Sequence, residues 1–273
     1  MSSLELDGVN LYYDQRGSGP DLVWLAGGDQ RGSSWHDYQV PAFTDRYRCT
    51  TYDARGVGET TCDLPLPWPI DDYGADCIKL IEAVCEPPVV VIGLSMGSLI
   101  AQQVALDRPD LVRCAVCMGT GARTNKYTHA WMQGEVDFRR DGGTLSPEMA
   151  TSHYAVLMYP SEVLGNDELW AKVSPIVLRD YSRRDGPELA AQWEACVQFD
   201  SYERLPSCEV PLHVIGFSQD VQAPPSLGRE VADTAPQGHF HLLEGLGHCS
   251  CFGHRPDDVN AQIQVILDQE GVS

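Results

Sequence analysis

A serine stands between two glycines in "GLSMG", residues 93–97, directly after the apolar run "VVVI" and directly before helix-forming residues. Glycines two positions either side of Ser95 allow a strand to turn sharply into a helix, which forces the serine into strained geometry and exposes its hydroxyl. The helix would also direct unpaired backbone N–H groups at a developing oxyanion. This stretch therefore predicts a nucleophilic serine.

A nucleophilic serine needs a base, and the base needs a partner that holds its tautomer. For a turn of this kind the expected chain order is serine, acid, histidine. Asp220 follows the strand-like run "LHVIGFSQ", and His248 follows "HFHLLEGLG". Both positions are carboxyl ends of strands, which meet at one edge of a parallel sheet. We predict that Ser95, Asp220 and His248 form a catalytic triad.

Other residues compete for two of these roles. His36 and His254 are the alternative bases, although His254 is expected to cap the last helix and His36 to lie on an early helix. Asp257 or Asp258 could replace Asp220 as the acid. Both are expected in the first turn of a helix, where the dipole alone favours a carboxylate.

Two backbone N–H groups are predicted to hold the oxyanion. One belongs to Met96, directly after the serine, and the other to Gly28 in the loop after "DLVWLAGG". Small residues there let the backbone approach a substrate. The alternative is that Gly27 and Gly28 only form a turn.

The elements around these residues alternate between strand and helix. Short apolar runs are separated by helical patterns at residues 70–85 and 96–110, which predicts a mainly parallel sheet. Residues 121–205 contain no strong strand pattern. We expect a core of residues 1–120 and 206–273, interrupted by a helical cap at 121–205.

Several large side chains of the cap could cover the site. Among its aromatic and methionine residues, including Trp193, we expect the substrate pocket to use Trp131, Tyr154, Met158 and Trp170. Packing within the cap is the alternative explanation for each of them.

The overall charge excludes some partners. The 273 residues include 39 acidic and 19 basic side chains, a formal net charge of −20, which disfavours nucleic acid and anionic membranes as partners. The N-terminal residues lack a signal-peptide pattern, and no apolar run approaches membrane-span length. We expect a cytoplasmic, unanchored protein with a small-molecule substrate.

The ten cysteines lie mostly in apolar runs, which favours core packing over disulfide bridges. Cys114 and Cys117 have the spacing of a redox or zinc pair, but no second pair or histidine cluster lies at ligand spacing. We expect neither a metal nor a cofactor.

Five segments in order, "LVWLAGGDQRGSSW", "YDARGVGET", "VIGLSMGSLIAQQVALDRPDLV", "QDVQAPP" and "GLGHCSCFGHRPDDVNAQIQVIL", resemble the α/β-hydrolase superfamily. The resemblance covers nearly the whole chain. It is to the branch with 3-oxoadipate enol-lactonases, aclacinomycin methylesterase-like proteins and cofactor-free haloperoxidase-like esterases. It implies an α/β fold with a mostly parallel eight-stranded sheet, helices on both faces and an inserted helical cap.

The same resemblance implies that Asp53, Arg55, Gly56 and Gly58 form a structural loop. Two positions depart from many relatives: Ala26 replaces a histidine, and Ser98 replaces a third glycine.

The activity expected from these features is hydrolysis of a small, largely apolar carboxylic ester or lactone. The same triad could cleave a carbon–carbon bond next to a ketone or an acyl thioester, or catalyse elimination or cyclisation of a biosynthetic intermediate. A small-molecule receptor with this fold is the alternative outside enzymes. The oligomeric state, monomer or homodimer, stays open.

Overall fold

A computed structural model describes residues 2–181 and 186–272 of the chain. Its strands are β1 (Ser2–Leu6), β2 (Val9–Arg16), β3 (Asp21–Leu25), β4 (Arg48–Tyr52), β5 (Thr61–Cys62), β6 (Val89–Leu94), β7 (Val112–Met118), β8 (Leu212–Phe217) and β9 (Gly238–Leu243). All nine belong to one sheet, in the order β1-β2-β4-β3-β6-β7-β8-β9, with β5 beside β2.

The sheet is antiparallel at one end and parallel elsewhere. β1 and β2 form an antiparallel hairpin and β2 pairs antiparallel with β4, whereas every neighbouring pair from β4 to β9 is parallel. The chain order reverses around β3, which pairs with β4 on one side and β6 on the other. Loops that leave β3 and β6 therefore separate at a crevice where ligands of open α/β sheets bind.

The expected mostly parallel sheet is confirmed, but it has nine strands and not eight. The additional strand, β5, contains two residues and pairs with Val9 and Asn10 of β2. So short a segment has no hydrophobic periodicity, because alternation needs at least four residues to be recognised.

Helices cover both faces of the sheet. They are α1 (Val40–Phe43), α2 (Ile70–Val84), α3 (Met96–Asp107), α4 (Lys126–Arg140), α5 (Pro147–Met158), α6 (Ser161–Leu164), α7 (Asp167–Tyr181), α8 (Pro187–Gln198), α9 (Pro225–Thr234) and α10 (Pro256–Gln269). Helix α3 ends three residues before the expected limit of 110, because Pro109 disfavours helical geometry at Arg108.

Two hydrophobic cores lie on opposite faces of the sheet. Alternate residues of β3 divide between them: Val23 and Leu25 pack with α2, α3 and α9, whereas Leu22 and Trp24 pack with α1 and α10. Because successive side chains of a strand point to opposite faces, a strand buried on both faces is apolar throughout. All five residues of β3 are buried.

Five helices, α4 to α8, lie between β7 and β8. The chain leaves and re-enters the core close together, since Arg123 and Asp200 form an isolated antiparallel bridge. This helical segment falls within the range expected for a cap, 121–205, of which residues 182–185 lie outside the described part. Its treatment as a separate cap domain stays a prediction.

Across residues 2–181 and 186–272, no helix has the length and apolar character that crossing a membrane would require.

Candidate active site

Ser95 occupies the turn between β6 and α3. Its φ and ψ angles are 55° and −124°, so this non-glycine residue has the positive φ that side chains rarely adopt. The turn is held by hydrogen bonds: Ser95 N–H donates to Met118 O at 3.0 Å, and Ser98 N–H donates to Ser95 O at 2.8 Å. The surrounding backbone therefore maintains a strained serine.

The two glycines beside the serine are required by close backbone contacts. A Cβ at Gly97 would lie 2.1 Å from Leu25 O, and one at Gly93 would lie 2.1 Å from Gly97 O. Any side chain at either position would push α3 away from β3 and β6. Ser98, which replaces a third glycine of many relatives, fits because its hydroxyl donates to Ser95 O at 2.5 Å.

His248 and Asp220 form a buried pair at the carboxyl ends of β9 and β8. His248 Nδ1 lies 2.6 Å from Asp220 Oδ2, and the two residues are 2% and 4% exposed. Asp220 Oδ1 accepts the backbone N–H groups of Gln222 and Ala223, each at 2.9 Å. Because an ionised carboxylate only accepts, the proton lies on Nδ1 and His248 Nε2 is left as the acceptor.

His248 Nε2 is buried and has no hydrogen-bond partner among the described residues. Burying a polar nitrogen without a hydrogen-bond partner costs folding free energy, so such an atom needs an explanation. Here the explanation we favour is proton transfer with a ligand or a nearby hydroxyl. The ring lines the same cavity as Ser95. The structure brings these two predicted residues to one site, and their catalytic roles stay predictions.

Gly119 supports this site and was not predicted from the sequence. It follows β7 with a φ of +55°, and a Cβ there would lie 2.8 Å from His248 Cε1 and 3.3 Å from Asp220 Oδ2. The signal that could have found it is its position at the carboxyl end of a buried strand, where ligand crevices form.

The cavity that Ser95 and His248 line is mostly apolar. Its volume is about 50 Å³, and the empty space amounts to about 500 Å³ when the open mouth is included. Its apolar wall consists of Leu99, Trp131, Met132, Trp193, Phe199 and Leu227. We call it the Ser95 cavity.

The four predicted pocket residues have different positions. Trp131 lines the Ser95 cavity, and Met158 lines a smaller recess that shares Ser95 and His248 with it. Tyr154 and Trp170 line neither cavity, and their part in a substrate pocket stays a prediction. Tyr154 is 1% exposed and its hydroxyl accepts from Arg139, and Trp170 packs against the core beneath α7. Which face of a helix meets the cavity depends on how the helix docks, and residue type alone does not determine it.

The two predicted oxyanion residues line the two cavities that share Ser95. Met96 begins α3 and lines the Ser95 cavity, and Gly28 lines the smaller recess. A Cβ at Gly28 would lie 4.0 Å from Met96 Sδ, so the Met96 side chain reaches the Gly28 loop. As the first residue of a helix, Met96 has an N–H group with no acceptor inside that helix.

The alternative bases lie away from the Ser95 cavity. His36 ends a short 3₁₀ segment, Gly32–His36, and its Nε2 lies 3.0 Å from Thr51 Oγ1. His254 Nδ1 lies 2.9 Å from Ser250 Oγ. The expectation that His254 caps the last helix is wrong, because Arg255 occupies the N-cap of α10.

The alternative acids occupy the first turn of α10 as expected. Asp258 there binds the Arg255 guanidinium. Neither it nor Asp257 lines the cavity that contains Ser95.

The loop after β4 has structural contacts. Asp53 accepts the backbone N–H groups of Gly32 and Glu59 at 2.8 and 2.9 Å, and Arg55 binds Asp76 through two hydrogen bonds. These contacts agree with the structural role that the resemblance implied.

Cys196 is the thiol that lines the Ser95 cavity. Burial raises its pKa to about 12, so the thiol is protonated near neutral pH. A protonated thiol is a poor nucleophile, which leaves the serine as the better candidate.

Known proteins resemble this chain over nearly its whole length. A putative non-heme bromoperoxidase, BpoC of Mycobacterium tuberculosis, is 33% identical over 253 residues, which are 92% of this chain and 95% of that protein. Its crystal structure matches with a TM-score of 0.90 at 31% identity, covering 96% of both chains.

Two more distant relatives carry different names. A putative carbamate hydrolase, RutD of Stutzerimonas stutzeri, is 25% identical over 94% of this chain and 96% of its own. A 3-oxoadipate enol-lactonase of Acinetobacter baylyi is 24% identical over 86% and 84%. A model of the alpha/beta hydrolase family matches residues 22–262. The strand order and the turn at Ser95 agree with this match. The chain therefore belongs to the alpha/beta hydrolase family.

Proposed function

We propose that this protein is a serine hydrolase that cleaves a small, largely apolar carboxylic ester or lactone through an acyl-enzyme at Ser95. The observation that supports it best is the shared cavity of Ser95 and His248. There the serine is held at positive φ, and the imidazole is bound by Asp220 with Nε2 unpaired among the described residues.

In the first half of the reaction, Ser95 Oγ attacks the carbonyl carbon while His248 Nε2 takes the hydroxyl proton. The imidazolium is stabilised by the Asp220 carboxylate, whose other oxygen accepts two backbone N–H groups. The carbonyl oxygen becomes an oxyanion that the N–H groups of Gly28 and Met96 would bind. Collapse then expels the alcohol, which takes the proton from His248.

In the second half, water enters and His248 Nε2 removes one of its protons. The resulting hydroxide equivalent attacks the acyl carbon, and the second tetrahedral intermediate releases the carboxylic acid and restores the Ser95 hydroxyl. For a lactone the alcohol and acid are parts of one molecule, so the product is a hydroxy acid.

The lining of the Ser95 cavity favours an uncharged acyl group. Among the described residues that line it, the cation is Arg123, whose guanidinium stacks 3.8 Å from the Tyr202 ring centroid and donates to Glu230 at 3.3 Å. A substrate carboxylate would have to compete with Glu230 for this partly exposed group. Because the walls are apolar and the Arg123 guanidinium already binds Glu230, the cavity favours a neutral substrate.

The test begins with labelling by a fluorophosphonate, which reacts covalently with activated serines, followed by peptide mapping. The label is expected on Ser95, and Ser95→Ala should abolish it. Ser152→Ala is the matched control, because Ser152 lies on an exposed face of α5. Labelling at another residue would overturn the assignment.

A substrate panel then identifies the bond that is cleaved. It should contain neutral and carboxylate-bearing esters and lactones together with carbamates, thioesters and diketones, since the relatives carry different names. We expect repeated turnover of neutral esters or lactones, reduced by about 10⁴ to 10⁶ in Ser95→Ala. Labelling at Ser95 without repeated turnover of any compound in the panel would instead favour a receptor.

A further inference from the structure

One side-chain amide joins helix α8 to both loops at the edge of the site. Gln192 is 1% exposed. Its Oε1 accepts the backbone N–H of Asp29 at 2.6 Å, and its Nε2 donates to Arg55 O at 2.9 Å. Asp29 follows Gly28 in the loop after β3, and Arg55 lies in the loop after β4. The helical segment between β7 and β8 thus contacts the predicted oxyanion loop directly.

The loop that Gln192 contacts has an unfavourable backbone conformation. Asp29 has a φ of 59°, in the left-handed region that disfavours non-glycine residues. From within, the loop is closed by Gln30, whose N–H donates to Gly27 O at 3.1 Å and whose Oε1 accepts from Gly27 N–H at 3.2 Å. From outside, Gln192 fixes the plane of the peptide bond between Gly28 and Asp29.

The geometry also places Gln192 close to Gly28 itself. A Cβ at Gly28 would lie 3.6 Å from Gln192 Oε1. The next residue, Trp193, lines both the Ser95 cavity and the smaller recess that contains Gly28. One turn of α8 therefore contacts the oxyanion loop through an amide and contacts the cavity through an indole ring.

An amide suits this position because it donates and accepts at the same time. A methionine would have similar length and volume but could satisfy neither backbone group. An ionised glutamate could still accept from Asp29 N–H, but its second oxygen would face Arg55 O, and two acceptors repel. Only the protonated acid reproduces both contacts of the amide.

We propose that Gln192 is a positioning residue, which holds the loop of Gly28 in the conformation that binds the oxyanion. It touches no reacting atom and acts through the Gly28–Asp29 peptide, which adjoins the Gly27–Gly28 peptide that carries the Gly28 N–H. The inference rests on the proposed function, because it assumes that the Gly28 N–H stabilises an oxyanion formed at Ser95. Through Gln192, the position of α8 then affects the rate of the chemical step.

The experiment compares Gln192→Met with Gln198→Met. Gln198 is exposed at the end of the same helix and bonds Glu194, so it is the matched control. Loss of oxyanion positioning should lower kcat and the rate of fluorophosphonate labelling at Ser95 by about 10- to 100-fold. KM should change by less than about threefold, because a group that acts only in the transition state leaves substrate binding intact. Gln198→Met should match the wild type.

A second variant decides the question if Gln192→Met does not fold. In Gln192→Glu the labelling rate relative to wild type should fall as the pH rises and the carboxyl ionises, because the ionised form loses the contact with Arg55 O. A purely structural role predicts a change in melting temperature without this pH-dependent rate.

Three results would overturn the inference. They are an unchanged labelling rate and kcat in folded Gln192→Met, a raised KM with unchanged kcat, and a pH-independent rate ratio in Gln192→Glu. A failure of the proposed function is distinct from these, since it would appear as wild-type protein that does not label at Ser95.

Discussion

Gly119 lies directly against the His248 ring, so that a Cβ on the glycine would be 2.8 Å from His248 Cε1 and 2.9 Å from Nδ1. The end of β7 thereby forms one wall for the imidazole, and Asp220 holds it from the end of β8. The hydrogen bond with Asp220 and the missing side chain of Gly119 together determine the orientation of the His248 ring.

Gly119→Ala should therefore impair activity by displacing the imidazole. The methyl group must push the His248 ring away or shift the backbone, and a misplacement of about 1 Å can cost up to about 100-fold in rate. The positive φ of Gly119 adds a folding cost of about 1–2 kcal/mol. We expect a loss of at least about tenfold in kcat, measured with the best ester of the panel, and a lower melting temperature.

Gly134→Ala is the control for this substitution. Gly134 lies inside α4, and a Cβ there would meet no atom within 4 Å. Alanine should raise stability by about 0.5–1 kcal/mol and leave activity unchanged. Full activity in Gly119→Ala would contradict the proposed contact with the base.

Asp220→Asn should remove most activity while preserving the fold. The amide has the shape of the carboxylate, but it can present its NH₂ group to His248 Nδ1, which stabilises the tautomer with the proton on Nε2. A protonated Nε2 cannot accept the serine proton. We expect kcat to fall by about 10⁴ near neutral pH.

Asp257→Asn and Asp258→Asn are suitable controls for Asp220→Asn. Both residues lie in the first turn of α10, away from the Ser95 cavity, and their loss should leave kcat within about twofold. If one of them abolished activity and Asp220→Asn did not, the predicted acid would be wrong.

The parts of the site that the sequence predicts are those with a local signal. The turn at Ser95 is encoded by its own glycines within five residues. Asp220 and His248 each follow an apolar run whose end is visible in the sequence. The buried strands β3, β6, β7 and β8 have clear apolar runs for the same reason, whereas two-residue β5 has none.

Gly119 and Gln192 could not be predicted in this way, because their roles depend on contacts between distant segments. Gly119 meets His248 only because β7 pairs with β8 in the observed register. Gln192 meets Asp29 across 163 positions of sequence, through the docking of α8 on the sheet edge. The same docking directs Trp193 into the cavity, whereas Tyr154 and Trp170 belong to α5 and α7 and do not line it.

The buried ion pair of Glu135 and Arg139 lies within α4 and should stabilise its packing on α5 through contacts with Tyr154 and His153. Glu135 accepts from Arg139, and its other oxygen lies 2.6 Å from His153 Nε2. Burial alone would raise the pKa of Glu135, but the hydrogen bond with His153 and the charge of Arg139 bring it below its usual value. This stability is present above pH 4.5 and is lost as the pH falls through the lowered pKa.

Glu135→Gln should destabilise the protein by about 3 kcal/mol at pH 7, because Arg139, which is 9% exposed, keeps a buried charge without its counter-ion. Urea unfolding measures the change. Glu148→Gln, at an exposed position of α5, should differ from wild type by less than about 0.5 kcal/mol. Equal stability of the two variants would show that this pair contributes nothing.

His213 on β8 and His241 on β9 should make the fold sensitive to mild acid. The rings of His239 and His241 stack on His213 with centroids 4.7 and 5.4 Å away, and His213 Nε2 lies 2.9 Å from Glu270 Oε1. Burial lowers the pKa of His213 even though Glu270 raises it, and burial also lowers the pKa of His241, which Gln262 contacts. The folded protein therefore favours neutral imidazoles at both positions.

The folded-state pKa values of His213 and His241 lie below the unfolded value of 6.5. Their contribution to the folding free energy is therefore fully present above that pH and is lost as the pH falls below it. The wild type should melt at a lower temperature at pH 5.5 than at pH 7.5. His213→Gln should reduce this difference by roughly 2–4 °C, which corresponds to about 1 kcal/mol for a protein of this size. His129→Gln, at an exposed position of α4, should retain the full difference. An identical pH dependence in His213→Gln and wild type would show that the stacked histidines do not carry the acid sensitivity.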